Sequence, residues 1–559
     1  MRSPTSPSLA LLAALALTSC GSREQSSAVV GDAVAPDVIS GVVEGREGPE
    51  AGVWVIAETD DLGTPLTKIV VTGDDGRFVL PELPEADYRV WVRGYGLTDS
   101  EPATAAPGDD LELAAAYPAS PQEAAAVFPA NYWYSLMEVP PADHFPGTGA
   151  SGNGIEPSLR SQAEWIDVLK QGCQLCHQLG NEITREGAHI RDRYASTKEF
   201  WDQRLQLGQR GVQMSTVLTR LGRDRGIEAF ASWTDRIREG AVPPTPPRPQ
   251  GRERDIVLTM WDWGSATSYV HDEVTTDKRD PTVNANGLVY GVSMSDDKLL
   301  IVDPNEHTAR DVLIPIRDPD TESYFPTTPG FQPWAFFGSQ IVLDAPANVH
   351  NPMMDHEGRV WLTSRIRNTG DNPEWCREGS SNPYARYFPL NTSGRQASVY
   401  HPDTEEFTLV DTCFGTHHLQ FGFDDDHTLW FSGDTRVIGW VRTRPLLDGP
   451  QGPLVTPVGP RAPGRLALRE EAAQGWCPTV IDTNGDGRIT RPWNTGNGQA
   501  DPSRDTQMTG FAYGIIVSPL DGSVWVARTG GLPGRIFRLE LGDNPPQTCK
   551  AEVYEPPFE

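Results

Sequence analysis

Basic residues are scarce in this chain: 47 lysines and arginines stand against 76 aspartates and glutamates, a formal net charge of −29 over 559 residues. Nucleic acid wants a basic face, so that balance excludes it as a partner. Otherwise the charge speaks to solubility, not to chemistry. Long apolar runs are also missing. The longest, Leu9 to Leu17, falls short of the ~20 residues that a spanning helix needs. Cysteine is rare, with 7 in all, and only Cys173 and Cys176 are closely spaced. A structural zinc site usually takes a second such pair, and the next cysteine is Cys376. Helical periodicity is confined to about 158–240. Present in its place are 54 glycines and 49 prolines, a turn-rich composition that favours short strands. A chain this long, 38% hydrophobic, should divide into two to four domains.

The first residues, "MRSPTSPSLALLAALALTSCGS", combine one arginine, an apolar stretch and small residues leading to Cys20. This is the pattern of an export signal. Leu17-Thr18-Ser19-Cys20 resembles a bacterial lipobox, which implies lipidation of Cys20 and removal of what precedes it; ordinary secretion with Cys20 discarded is the alternative. Gly21 after the cysteine leans, in lipoproteins, toward the outer membrane. The expected location is therefore exported and lipid-anchored, at the outer membrane facing the periplasm or the cell surface.

Residues 23–36 read as a tether. From 37 to 115 the chain shows alternating β-branched and aromatic runs, "VISGVVEG", "AGVWVIAET", "KIVVTGDDGRFVLPEL" and "DYRVWVRGYGL", bounded by Gly, Asp and Pro. The order of these strands, with Asp74-Asp75-Gly76-Arg77-Phe78 before Tyr88, resembles the carboxypeptidase regulatory-like domain, which implies a β-sandwich without activity of its own. Residues 116–154 are Ala- and Pro-rich, but "NYWYSLM" is too aromatic for a free linker and should pack on a neighbour.

Residues 155–245 form the one helical stretch, with Leu159, Ala163, Ile166 and Leu169, and later Ile227, Phe230, Thr234 and Ile237, at helical spacing. Between 155 and 250 there are 14 basic and 12 acidic residues, near neutrality in an acidic chain, which marks a separate domain. It contains "QGCQLCHQLG". A redox dithiol would want a βαβ setting, whereas this pair ends a helix and is followed at once by His177. Cys173 and Cys176 are spaced to bond the two vinyl groups of one haem c, and His177 to ligate its iron. The stretch resembles a small monohaem class I cytochrome c. In that family a methionine commonly fills the sixth position; Met214, the single methionine of this window, is the candidate, with His189 the competitor. Ser215 stands where the family often has proline.

From 254 to 559 strands and turns resume, with a recurring unit: "DHEGRVWLTS", "DDDHTLWFSG", "PLDGSVWVAR" and, more weakly, "SDDKLLIVDP". Repetition of a strand–turn–strand unit predicts a β-propeller of six or seven blades. Tyr513-Gly514-Ile515 ahead of Asp521-Gly522-Ser523-Val524-Trp525 resembles the blade repeat of virginiamycin B (streptogramin) lyase-like propellers. The predicted fold class is thus mainly β and multidomain: sandwich, small helical cytochrome c domain, propeller.

Superposing the repeats lays Asp355 on Asp424 and Trp361 on Trp430, and His350 falls beside His418. His417, and His271 ahead of a third inner strand, join them at one mouth of the channel. These four are the catalytic candidates, as metal ligands or acid–base groups, or else polar core. "DTNGDGRIT" sets Asp482, Asn484 and Asp486 at calcium-loop spacing, with Arg488 offering its carbonyl, although the loop lacks the closing Glu. Cys376, Cys413, Cys477 and Cys549 suggest two disulfides, with proximity favouring 376–413 and 477–549.

The function expected is transfer of electrons through one covalent haem, the propeller binding a substrate, a redox partner protein or a small-molecule donor, and the lipid meeting the membrane. A propeller-based oxidoreductase, a lyase-like enzyme with the haem as accessory, and a non-redox surface binding protein stay open.

Overall fold

The chain's structure, a computed structural model, describes residues 35–174, 177–325, 331–448, 465–495, 500–508, 510–529, 534–555 and 557. The signal segment, Cys20, most of the tether and Cys176 lie outside the described residues. The architecture is mainly β, several separate sheets with a run of mostly short helices between them. No helix among the described residues is long and apolar enough to cross a membrane.

Two sheets near the N-terminus share one core. In the first, Ile39–Gly45 pairs with Arg77–Leu80, Gly48–Pro49 and, in parallel, Asp110–Ala114. Its alternation buries Ile39 and Val43, while Gly41 lets Leu111 approach: a Cβ there would stand 2.1 Å from the Leu111 carbonyl oxygen. The second sheet runs Ala103–Ala105, Tyr88–Arg93, Trp54–Thr59, Leu66–Val71 and finally Leu258–Trp261. That last strand arrives from beyond the helices. The residues after the Pro-rich break therefore first return to cover this sheet's edge, Leu66 opposite Trp261, and close a flank that would otherwise present unpaired amides.

The helices gather around tryptophans. Ser161 accepts the Glu164 amide (3.2 Å) and starts Gln162–Leu169; Ile227, Phe230, Thr234 and Ile237 lie on the buried face of Arg223–Arg238. Each buried indole N–H of Trp165, Trp201 and Trp233 finds an oxygen, on Leu221, Thr234 and Trp133 respectively, at 2.9 Å. Trp133 belongs to the aromatic passage 131–137 and sits in the same core.

Beyond Trp261 four sheets follow, each a meander of antiparallel strands. Sheet I is Val270–Val274, Val289–Ser293, Lys298–Asp303 and Thr308–Leu313. Sheet II is Pro352–Met354, Val360–Ser364, Gln396–His401 and Glu406–Val410. Sheet III is Thr416–Phe421, Thr428–Gly433, Val437–Arg442 and Gln474–Pro478. Sheet IV is Phe511–Val517, Val524–Thr529, Arg535–Glu540 and Lys550–Tyr554, widened by Val480–Ile481 and Thr506–Gln507. The recurring aspartate has a local task, to cap the first hairpin of its sheet. Asp355 accepts the Glu357 and Arg359 amides, Asp424 that of Thr428 and Asp521 that of Ser523.

Among the described residues four sheets stand where six or seven blades were expected. The connection 365–395 carries Glu374–Cys376 and Pro383–Tyr387 in place of a further sheet. Two disulfides brace this half, Cys376–Cys413 and Cys477–Cys549, the second tying sheet III to sheet IV.

Candidate functional site

The first strands of the four sheets lie against one another in sequence, I on II, II on III and III on IV. Histidines meet on that line. The His350 ring centroid is 4.1 Å from that of His271, 3.9 Å from His417 and 5.3 Å from His418; His417 and His418 are 4.6 Å apart. Tyr513 of sheet IV closes the group, 4.5 Å from His418.

Neighbours in a regular strand point to opposite faces, so His417 and His418 should not share a site. Backbone register explains why they do. The pairing of Thr416–Phe421 slips between Thr416 and Leu419, where the two histidines sit. Similar slips occur between Val270 and Asp272, at His271, and between Ala512 and Ile515, at Tyr513. Three inner strands thus bulge at the same level, re-aiming side chains inward. Hydroxyls lock the arrangement. Thr363 Oγ1 donates to the His417 carbonyl (2.9 Å) and accepts the Asn351 amide (3.0 Å), and Ser432 reaches the Tyr513 carbonyl.

His350 is 4% exposed. Desolvation, then the neighbouring His417, Arg395, His271 and His418, holds its pKa far below the ordinary imidazole range; burial and His418 bring His417 down to about 3, and burial lowers His418. The three rings are neutral at physiological pH, with lone pairs available. His350 Nδ1, His417 Nδ1 and His418 Nε2 are buried without a hydrogen-bond partner. A buried polar atom left unpaired costs ~1–3 kcal/mol, so three together ask for a ligand. Asp272 lies on the other flank, 2.7 Å from His271 Nδ1 and 3.8 Å from His350 Nδ1, with its carboxylate also held by Asn351 Nδ2 at 3.0 Å.

A cleft of about 310 Å³ opens beside His417, lined by Tyr324, Arg365 and Arg395 among others. Neither guanidinium is ion-paired among the described residues; Arg395 Nε donates to the Asn348 carbonyl (2.7 Å) and its guanidinium lies 5.6 Å from the Tyr324 ring. Two guanidinium groups against the single carboxylate of Glu322 make its lining net positive. A larger one, about 640 Å³, lies between Tyr384, Trp430 and Trp440, but it offers no comparable gathering of nitrogen donors.

The helical stretch holds the other candidates. Cys173 is half-buried in the π-helical turn Lys170–Gln174, and the His177 amide donates to its carbonyl at 3.1 Å, so both side chains leave one turn. Desolvation, then Arg204, lowers the His177 pKa, although the residue lies at the surface. Met214, half-buried, is on Gly211–Arg220; that helix crosses the motif through Val217, which would touch any Cβ added to Gly172. Donor types and placement fit a haem c at Cys173 and His177, with Met214 on an adjoining helix. His189 instead stacks on Phe336, rings 4.4 Å apart, at the surface.

Asp486 is exposed, and Asp482 and Asn484 are half-buried. Asp482 accepts the Gly485 and Gly487 amides, Asn484 that of Asp486, and Asp486 that of Arg488, so the loop's oxygens serve its own turns.

Asp272, Asn351, Tyr513, Arg365 and Arg395 were not singled out by the sequence. Asp272 follows a candidate histidine directly, which was a usable signal; the others depend on bulges and long connections that leave none.

No family model and no curated protein matches the chain. Solved structures similar to it include virginiamycin B lyase from Staphylococcus aureus (12% identity, 51% of this chain and 74% of that one, TM-score 0.21). A luciferin-regenerating enzyme (10%, 52% and 78%, TM-score 0.20) and the Malassezia sympodialis allergen Mala s 1 (10%, 51% and 79%, TM-score 0.20) are others. Superpositions this poor bear on neither mechanism nor substrate.

Proposed function

We propose that the chain is an exported, lipid-anchored c-type cytochrome. Cys173 and Cys176 would bond one haem, His177 and Met214 would ligate its iron, and the group would supply electron transfer for a site in the four-sheet half. The observation that carries the reading is the CxxCH motif, with Cys173 and His177 leaving a single turn. The haem would supply reversible one-electron chemistry; Cys173, Cys176 and His177 would hold it, beside the helix that carries Met214. In this reading the N-terminal sheets are a regulatory-like sandwich, the four sheets are propeller blades, and the loop at Asp482, Asn484, Asp486 and Arg488 is a calcium site.

Contacts between the halves support traffic of electrons. Arg210, at the start of the Met214 helix, lies over Phe325 (4.7 Å to the ring). Phe325 packs on Tyr324 with ring centroids 5.2 Å apart, and Tyr324 lines the cleft beside His417. Gln209 further accepts the Val342 and Leu343 amides (3.0 and 2.9 Å). These contacts lead from the helix to the cleft beside His417, where a reductant or partner would dock. The net positive lining favours an anionic one.

The deciding measurement is the pyridine haemochrome of protein matured with cytochrome c machinery. One haem per chain that resists extraction into acidic organic solvent is expected. Haem that extracts freely, or none, overturns the proposal.

A further inference from the structure

We infer that His350, His417 and His418 hold one divalent first-row transition-metal ion, with the His271–Asp272 pair at its open side. This goes beyond the haem reading and does not depend on it.

The argument is geometric. One nitrogen from each of the three histidines lies within 4.8 Å of the others, and a second such group, His271, Asp272 and His350, shares His350. Nitrogens bound at 2.0–2.1 Å to one tetrahedral ion stand about 3.4 Å apart, so the widest pair must close by up to about 1.4 Å, shared between two rings. A small rotation of rings already converging is enough. The nitrogens without partners are one on each of these three residues. In the helical core the indole N–H groups of Trp165, Trp201 and Trp233 meet oxygens and that of Trp133 does not, so the weight lies on three such nitrogens converging at one place. Neutral imidazoles select zinc, copper, nickel or ferrous iron over calcium or magnesium, which want oxygen.

The surroundings fit as well. Asp272 holds His271 at 2.7 Å and is itself held by Asn351, a carboxylate–imidazole pair that can fix a tautomer and offset the ion's charge. Arg395 approaches from the opposite, cleft side, which favours an anionic exogenous ligand there. Backbone investment points the same way, since bulges in the inner strands of sheets I and III deliver His271, His417 and His418 to one level.

The test uses full-length, haem-loaded protein, stripped with a chelator and titrated calorimetrically with Zn²⁺ alone, haem being counted separately. One zinc per chain is expected, with imidazole scattering in its X-ray absorption spectrum. His418→Ala and His350→Ala should weaken binding more than about 100-fold and His271→Ala about 10-fold, the scale of ligand and outer-shell losses. His401→Ala, on the third strand of sheet II with its Nε2 on Thr408 Oγ1 (2.9 Å), should change nothing. If His350→Ala loses the wild-type circular dichroism, the half-buried His418 and the wild-type absorption spectrum decide. Folded wild-type protein that binds no zinc, binds it through oxygen alone, or binds it equally in His418→Ala overturns the inference. Zinc failure with haem present leaves the cytochrome reading standing; haem failure with zinc bound does the reverse.

Discussion

The turn at Cys173–His177 and the cluster at His350 gather donor atoms by opposite means. In the first, thiol and imidazole come from one helical turn, four residues apart, and little tertiary structure is needed to bring them together. In the second, imidazole rings arrive from residues 271, 350, 417 and 418, from three sheets, and only the stacking of those sheets unites them. A local motif is robust to damage elsewhere, whereas a site built from distant strands shares the fate of the fold. That contrast can be broken at both ends.

The largest effect should follow from Cys173→Ala combined with Cys176→Ala. Covalent haem should vanish completely, while zinc binding at the histidines stays within a few-fold of wild type. Loss of both from protein with native circular dichroism would show that the two centres are one functional unit. Met214→Ala, with the cysteines intact, should keep the haem, lower its potential and admit carbon monoxide, because a thioether favours ferrous iron.

Next come the disulfides, which should matter to the histidine site and not to the haem. Cys376–Cys413 closes a span of 37 residues and Cys477–Cys549 one of 72. Restricting the unfolded chain in this way contributes about 4 kcal/mol each, slightly more for the longer loop. Cys477→Ser with Cys549→Ser should lower the thermal midpoint of the four-sheet half by many degrees and weaken zinc with it, since that bridge anchors sheet IV. The haem spectrum should survive to its usual temperature.

The same contrast sets what was legible in the sequence. CxxCH was readable because spacing alone makes its chemistry, and the helices around it because Ile227, Phe230, Thr234 and Ile237 repeat at helical period. The hairpin repeats were readable through Asp355, Asp424 and Asp521, each capping its own turn. Superposing repeats singled out His350 and His418, with His417 and His271 added beside them, although a regular strand would have turned His417 and His418 apart; the bulge that reconciles them has no local signature. The return of Leu258–Trp261 to the N-terminal sheet and the count of four sheets escaped for a related reason. Edge pairing and long connections are settled by tertiary packing, and a turn-rich sequence looks alike in a blade and in a loop.

Asp297 tests the pH response of the strand-built half. Its carboxyl is buried at a hairpin and accepts the amides of Ala347, Val349 and Asn348, yet desolvation outweighs them and raises its pKa to about 7. The unfolded chain releases that proton near pH 4, whereas the folded chain keeps it until about pH 7. Stability is therefore lost as pH rises across that window and levels off above it, by up to about 4 kcal/mol at ~1.4 kcal/mol per unit. Asp297→Asn keeps an oxygen for the amides and suits the left-handed backbone there, at φ 55°. The variant should gain on wild type in thermal midpoint between pH 5 and 7.5 (~2 units of the titration). Parallel pH profiles would show that Asp297 is ionised in the fold.

The smallest effect expected is the sharpest probe of how the cluster is held. Thr363 is fully buried on the second strand of sheet II, and its hydroxyl joins the Asn351 amide to the His417 carbonyl. It therefore ties the strand entering at His350 to the bulge carrying His417. Thr363→Val keeps the shape and removes both bonds, leaving a buried donor and acceptor unsatisfied at a cost of ~1–3 kcal/mol. If the bulge is held mainly by this hydroxyl, zinc should weaken about 10-fold, the usual scale for an outer-shell loss, with the haem untouched. Stability lost without any change in zinc affinity would mean that the backbone ladder alone sets the bulge, and that Thr363 serves the seam between sheets rather than the site.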